Sequence, residues 1–322
     1  MFFGSKKDAL LAIDLATDAV RVLDVRLRAP EPIIQAYASQ SIETGPVTSL
    51  PERHLEALRS LLNTNRFSTK NVFAAMPSAL VVTRSVALDS QKNQSDEEQV
   101  RYTLNNCLPF DAKDLMFDYW QTSPPQNGNR TRDVLVVATQ ASVVQRYLTG
   151  FEKLGLDCSH MDVAPCALAT LIKRTASQPE NMIGVVALSE TGGFFSVVEN
   201  NKVLFWRPFD LPASAANKTN AGIHNSLDRV GDEISKCVSH MVGSMHLDNM
   251  NELQLFGTGA DNMVVAEYLK NRFHMPVRNP SPFDALSNNA CPPAIREALG
   301  NAAASHYCTA VGLAMQGAAA HG

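Results

Sequence analysis

LLAIDLATDAVRVLDV, from Leu10 to Val25, and IGVVALSETGGFFSVVENNKVLFWR, from Ile183 to Arg207, are one device written twice. Each is an apolar strand, a turn of small residues and a second strand, the construction of a hairpin that grips a phosphate. Small residues matter in such a turn because backbone N–H groups reach an anion only where no side chain stands between them. A third stretch, ELQLFGTGADNMVVAEYL from Glu252 to Leu269, reads as strand, Gly-Thr-Gly turn and helix. Hairpin, hairpin, then a glycine turn before a helix makes a two-lobed α/β chain with a nucleotide site the leading expectation.

The rest of the chain is compatible with that reading. With 322 residues, 45% of them hydrophobic and 19% charged, it can fill two ordinary lobes. A net charge of -4, with no Lys/Arg run longer than Lys6-Lys7, leaves no basic footprint for nucleic acid or an anionic membrane. The N-terminal MFFGSKKDALLAIDL has neither the length nor the order of a signal peptide, and its apolar part is broken by Asp8 and Asp14. No stretch approaches ~18 uninterrupted apolar residues. The expectation is a cytosolic chain without direct membrane insertion. The six cysteines form no CxxC pair and read as free thiols. His240 and His246 are spaced wrongly for one helix face, so no metal site is read from them.

Along the chain, Leu55, Leu58, Leu61 and Leu62 fall at helical spacing within 51–63, and NVFAAMP followed by VVTRSVAL reads as continuous strand. Ser95 and Glu98 form a capping box ahead of Val100, Leu104 and Leu108. Two strand-like runs, FDYWQTS and RDVLVVATQ, and a helix carrying Val144, Leu148, Phe151 and Leu154 follow, ended by Gly155. This group, about 85–155, reads as a compact insertion. The strongest helical pattern is Leu227, Val230, Ile234, Val238, Met241 and Met245. The proline-rich 276–293 reads as loop, HYCTAVGLAMQ as a closely packing helix, and AAAHG as a frayed tail.

Taken together, LLAIDLATDAVRVLDV, CLPFDAKDLMFDYW, VLVVATQASVVQRYLTGFEKLGLDCSHMDVAPCAL, ELQLFGTGADNMVVAEYLKNRFHMPVRNPSPFDAL and YCTAVGLAMQ resemble the PilM family of type IV pilus assembly proteins. That family is similar in fold to the division protein FtsA. The resemblance implies an actin-like (ribonuclease H-like) α/β fold. Its first lobe would span 1–182, with the insertion at about 85–155 and a completing C-terminal helix at 305–322; its second lobe would span 183–304. It also implies a cytoplasmic protein, peripheral on the inner-membrane face. There it would bind the short N-terminal tail of a PilN-like membrane protein among other proteins of the pilus alignment complex. Self-association is open to actin-like folds, with no surface identified for it.

The same resemblance names the nucleotide residues for ATP and Mg2+. In the first hairpin Asp14 would hold Mg2+, directly or through water, with Thr17 and Asp18 in the turn and Arg21 in place of the family's Lys. Thr191, Gly192 and Gly193 would present N–H groups from the second hairpin, beside Glu190. Gly257, Thr258 and Gly259 would form the adenosine-side turn, with Glu233 and Lys236 on the preceding helix as ribose or base contacts. Three departures weaken the device. Ala16 stands where the family has Gly, Asp18 sets a negative charge beside the phosphates, and Ala187-Leu188-Ser189 replaces Asp-Ile-Gly, which removes the second carboxylate. A charge-assisted hydrogen bond contributes roughly 1.5–3 kcal/mol, so each lost contact weakens binding about 10- to 150-fold. Hydrolysis needs a positioned metal and water besides affinity and is hit harder.

Two functions from different classes follow: an assembly scaffold that takes an extended peptide beside the insertion, by strand addition, and an active ATPase or small-molecule kinase of the actin-like superfamily. The damaged hairpins place the scaffold first. Asp111, Asp114 and Asp118 form an acidic cluster that reads as a solvated edge or as a seat for a basic tail. No GxSxG, P-loop or HExxH motif is present.

Overall fold

The computed structural model describes residues 8–27, 31–108, 112–122, 131–178, 181–189, 191–210, 220–245, 250–258, 260, 262–287 and 290–321. In the first lobe β1 (Ala9–Leu15), β2 (Ala19–Arg26) and β3 (Ile33–Ser41) form an antiparallel meander. Helix α1 (Leu50–Thr64) then returns the chain to β4 (Asn71–Met76), which lies parallel to β1. Strands β1 and β2 are buried on both faces, which is why they read as unbroken apolar runs rather than alternating ones.

After β4 the chain leaves this sheet. Pro77 and a 3-10 turn at Ser78–Leu80 separate β4 from β5 (Val82–Asp89), so the single strand expected from NVFAAMP and VVTRSVAL is two strands in two sheets. Proline lacks the N–H that would continue a ladder. Helix α2 (Asp96–Cys107) follows, with the Ser95–Glu98 capping box formed on both sides. With β6 (Leu115–Gln121) and β7 (Thr131–Gln140) it completes a small sheet of order β5-β7-β6. Val86, Leu88, Val100, Leu104, Leu115, Val134, Val136 and Ala138 form its own core.

Helix α3 (Ala141–Lys153) does not belong to that unit. Its Val143, Val144, Tyr147 and Phe151 enter the main core of the first lobe, so the inserted sheet spans 82–140 rather than 85–155. Gly155, at φ +71°, turns the chain into β8 (Asp157–Val163), parallel to β4, and α4 (Ala164–Thr175) follows.

The second lobe repeats the plan. Strands β9 (Met182–Ser189), β10 (Gly192–Glu199) and β11 (Lys202–Asp210) form the meander. Helix α5 (Asn220–His240) leads to β12 (Met250–Gly257), parallel to β9, and α6 (Met263–Phe273) leads to the short β13 (Val277–Arg278). The two large sheets have the matching orders β3-β2-β1-β4-β8 and β11-β10-β9-β12-β13. The stretch read as loop therefore holds a strand, and a 3-10 turn at Pro282–Ala285 besides.

Helix α7 (Pro293–Ala304) precedes α8 (Cys308–His321), which packs against β1 and α4. The AAAHG tail continues α8 as far as His321, and Ala318 is buried. Small residues let this helix come close: a Cβ on Gly312 would lie 2.1 Å from the Ala167 carbonyl oxygen. One core runs from the first sheet through α4 and α8 to Phe194, Trp206 and Phe256 of the second sheet. Another fills the far face of that sheet under α5 and α6.

Candidate functional site

The two hairpins have the same register. Asp14 faces Arg21 and Leu15 faces Val20 in the first; Ala187 faces Phe194 and Leu188 faces Gly193 in the second. An apolar pair thus occupies in one lobe the place that an ion pair holds in the other. Between the hairpins lies a cleft of about 370 Å3 lined by Asp14, Thr17, Asp18, Arg21, Thr191, Gly192, Gly193 and Gly257. Most of the sequence-derived residues meet there.

Arg21 is the organising charge. Its Nη2 donates to both Asp18 carboxylate oxygens, at 3.2 and 3.1 Å, and its Nη1 stands 3.7 Å from Asp14. The Thr258 hydroxyl, from the other lobe, donates to Asp18 at 3.1 Å. Burial, the largest effect, pushes the Asp14 carboxyl up to about 7 against the pull of Arg21, and Asp18 adds to the rise.

The turn hydroxyls are joined across the lobes. Thr191 donates to Thr17 at 3.2 Å, Thr17 and Ser189 lie 3.0 Å apart, and Ser189 donates to the Gly192 carbonyl at 3.0 Å. Because Ser189 spends its proton on Gly192, the chain of donors runs Thr191, Thr17, Ser189. Hydroxyls that would meet a phosphate are thereby satisfied by one another.

Two further supports hold this geometry. His54 of α1 is fully buried, with Nε2 2.8 Å from the Ala16 carbonyl and Nδ1 2.7 Å from the Tyr147 hydroxyl. A carbonyl only accepts, so Nε2 carries the proton and Tyr147 donates to Nδ1. Burial lowers the His54 pKa to about 4, which keeps it neutral. On the other side, Gly257 turns at φ +84°, where a Cβ would lie 2.1 Å from the Leu188 carbonyl oxygen. Ser305 donates to the Gly257 carbonyl at 3.1 Å and ties the turn to the start of α8.

Other expected residues stand elsewhere. Glu233 and Lys236 pair with each other on α5 at 2.6 Å and do not line the cleft. Glu190, Gly259 and Asp111 lie outside the described residues. Asp114 is not a free acidic edge: it accepts from the Ser142 N–H at 2.8 Å and hydroxyl at 2.7 Å, capping α3.

The residues present do not fit a Mg2+ ion held by protein carboxylates. Asp14 and Asp18 share one guanidinium, Ala187 has no carboxylate at the place that Asp14 holds in the first hairpin, and no group of three or more His, Cys, Asp or Glu among the described residues is arranged for a metal.

Sequence reading missed His54, Ser305, Arg53 and Asp210, all of which reach the cleft or its turns. None carries a local motif; only the packing of α1, α8 and β11 brings them in. Ser189 is legible in the sequence as a turn residue, whereas its role as a link between lobes is a contact of the folded chain.

A second feature lies beside the insertion. Among the described residues, strands β6 and β8 each stand at the end of their sheet. Asp118 of β6 and Asp162 of β8 converge on α4: after burial, both push the Cys166 thiol well above its ordinary range. Asp162 also accepts from Gln316 of α8 at 2.8 Å. Met116 on β6 is 46% exposed, so the margin is apolar as well as acidic.

Comparisons with known proteins agree with this architecture. Residues 12–219 match the sequence profile described as type IV pilus assembly protein PilM. The fold is similar to that of the PilM–PilN type IV pilus biogenesis complex, at 19% identity over 96% of this chain and 98% of that one, with a TM-score of 0.79. It is also similar to a Bacteroides thetaiotaomicron protein with an actin-like ATPase fold and unknown function, at 14% identity over 88% and 97% of the two chains, with a TM-score of 0.51. The two-lobed architecture is that of actin-like proteins.

Proposed function

This chain belongs to the PilM family of type IV pilus assembly proteins, and from that premise we propose that it is an assembly scaffold rather than an enzyme. It takes the short cytosolic tail of a PilN-like inner-membrane protein, in extended form, in the groove between the first lobe and the insertion. The observation that carries this reading is that β6 and β8 each end their sheet among the described residues, with Asp118 of the one and Asp162 of the other both acting on Cys166 of α4. An extended peptide satisfies such edges by strand addition, with main-chain hydrogen bonds supplying affinity and side-chain pockets supplying selectivity. Asp118 and Asp162 favour a tail with basic residues. The PilN named with the similar structure supports the class of partner. No helix among the described residues is long and apolar enough to cross a membrane, which accords with attachment through such a partner.

In this reading the interlobe cleft is a ligand pocket without turnover. ATP enters only by breaking the Thr191–Thr17–Ser189 chain and competing with Asp14 and Asp18 for Arg21. An ATPase or kinase would need a positioned metal, which these residues do not supply.

The test is fluorescence anisotropy with a labelled synthetic peptide of the N-terminal cytosolic residues of the PilN-like partner. Saturable one-to-one binding, weakened by Asp118→Lys, is the expected result. Absence of binding overturns the scaffold reading.

A further inference from the structure

The outer strand of the second sheet, β11, would ordinarily be an open edge, and it is covered by the inserted sheet. The Trp120 indole Nε1–H of β6 donates to the Val203 carbonyl at 2.6 Å, and the Thr83 hydroxyl of β5 donates to the Trp206 carbonyl at 2.7 Å. Thr83 and Trp120 lie on the face of the small sheet opposite α2, because Val86 and Leu88 of β5 and Leu115 of β6, at the other parity, fill the α2 core.

Val203 and Trp206 are an odd number of positions apart, so in a regular strand their carbonyls would point to opposite sides. The ladder between β10 and β11 is irregular at this place. Val197 pairs with Phe205 and Val198 with Val203, which leaves Leu204 as an extra residue on β11. This bulge restores the same direction to both carbonyls, and both then meet the insertion. The side chains follow: Val203 and Trp206 share one core, whereas Phe205 faces the other.

Strand β11 continues from this joint to Pro208, Phe209 and Asp210, which line the interlobe cleft, and Asp210 pairs with Gly192 of the second hairpin. We infer that Trp120 and Thr83 are positioning residues that pin the insertion to the second lobe through the bulge at Leu204, so that β6, where the tail would add, is joined to the interlobe cleft through one strand. The coupling rests on the scaffold reading above; the joint itself does not. Capping an exposed edge would by itself explain the two hydrogen bonds, so the test must read transmission along β11.

Amide hydrogen exchange on the full chain supplies it, with Trp120→Phe and Thr83→Val made singly and together. Two side-chain hydrogen bonds removed should cost β5 and β6 roughly tenfold in protection while β1 and β12 keep theirs. Wild-type protection of β5 and β6 in the double variant overturns the joint. If the double variant does not fold, Thr83→Ser, which keeps the hydroxyl, is set against Thr83→Val, and equal exchange in the two overturns it.

The second arm adds the synthetic tail peptide. In the wild type, exchange should slow at Phe209 and Asp210 as well as along β6; in the double variant the slowing should stop at β6. Slowing confined to β6 in the wild type, or undiminished at Asp210 in the variant, overturns the coupling. A tail that binds nowhere overturns the scaffold reading and the coupling with it, while the first arm still decides the joint.

Discussion

Arg21 faces Asp14 across the first hairpin, their charged groups 3.7 Å apart, and the matching pair in the second hairpin is Phe194 and Ala187. A duplicated device has thus kept its charge in one copy and become apolar in the other. Because Asp18 also holds Arg21, at 3.1 Å, the one cation fixed between these carboxylates already has two anionic partners.

Arg21→Ala leaves Asp14 and Asp18 without their common partner at sites where their side chains are about a tenth exposed or less. Breaking a buried pair from one side costs about 3 kcal/mol or more, which urea unfolding measures. Adding Asp18→Asn should recover part of the loss, because it removes one of the stranded charges. A double variant no more stable than Arg21→Ala would contradict this arrangement.

Two buried groups give opposite pH dependences. His54 has its pKa depressed from 6.5 to about 4, so its neutral form stabilises the fold above pH 6.5 and that contribution is lost as pH falls toward 4. Asp14 has its pKa raised from 3.8 to about 7, so its contribution is present at low pH and is lost as pH rises toward 7. By linkage each is worth a few kcal/mol, and between pH 4 and 6.5 they largely cancel. Asp14→Asn should uncover the His54 slope, making the variant steadily more stable from pH 4 to 6.5 relative to the wild type. Parallel stability profiles of the two proteins would refute the assignment.

Gly257→Ala places a methyl group 2.1 Å from the Leu188 carbonyl oxygen at φ +84°. The left-handed conformation alone costs an alanine about 1–2 kcal/mol, and the clash adds to it. Thermal unfolding should show a Tm lower by several degrees, with the loss of protection centred on β9 and β12.

Ser95→Ala removes one half of the capping box on α2. The expected cost is about 1 kcal/mol, confined to the insertion because α2 packs on its own small core. Faster amide exchange in α2 with unchanged exchange in β1 and β9 is the signature; a uniform change would mean that the insertion does not open independently.

Chelation is a direct check on the metal. With no carboxylate set arranged for an ion among the described residues, EDTA should leave Tm unchanged within about 1 °C, whereas a resident ion stabilises by mass action and its removal lowers Tm. A drop of several degrees would restore Mg2+ to the cleft.

Much of this molecule was legible along the chain because its signals are local. The two hairpins, the Ser95 capping box, the Gly155 stop and the amphipathic α5 are each written within a few residues of where they act. The division between β4 and β5 is faint in the sequence because both segments have strand-like composition and the break, Pro77 with the 3-10 turn at Ser78–Leu80, is short. Helix α3 adjoins the insertion in sequence, yet its apolar face packs on α1 and the first lobe. Glu233 and Lys236 sat at promising positions on α5 but satisfy each other.

The sequence by itself determined the duplicated α/β plan and the apolar Ala187 at the place that Asp14 holds in the first hairpin, since strand pattern, turn chemistry and residue identity are properties of short segments. Only the tertiary structure decided that Thr17, Ser189 and Thr191 satisfy one another, that His54 holds the Ala16 carbonyl, and that Trp120 and Thr83 seal β11. Those bonds join residues far apart in the chain. Which hydroxyl meets which carbonyl depends on how whole sheets and helices pack, and that is set by the burial of the common core rather than by any local pattern.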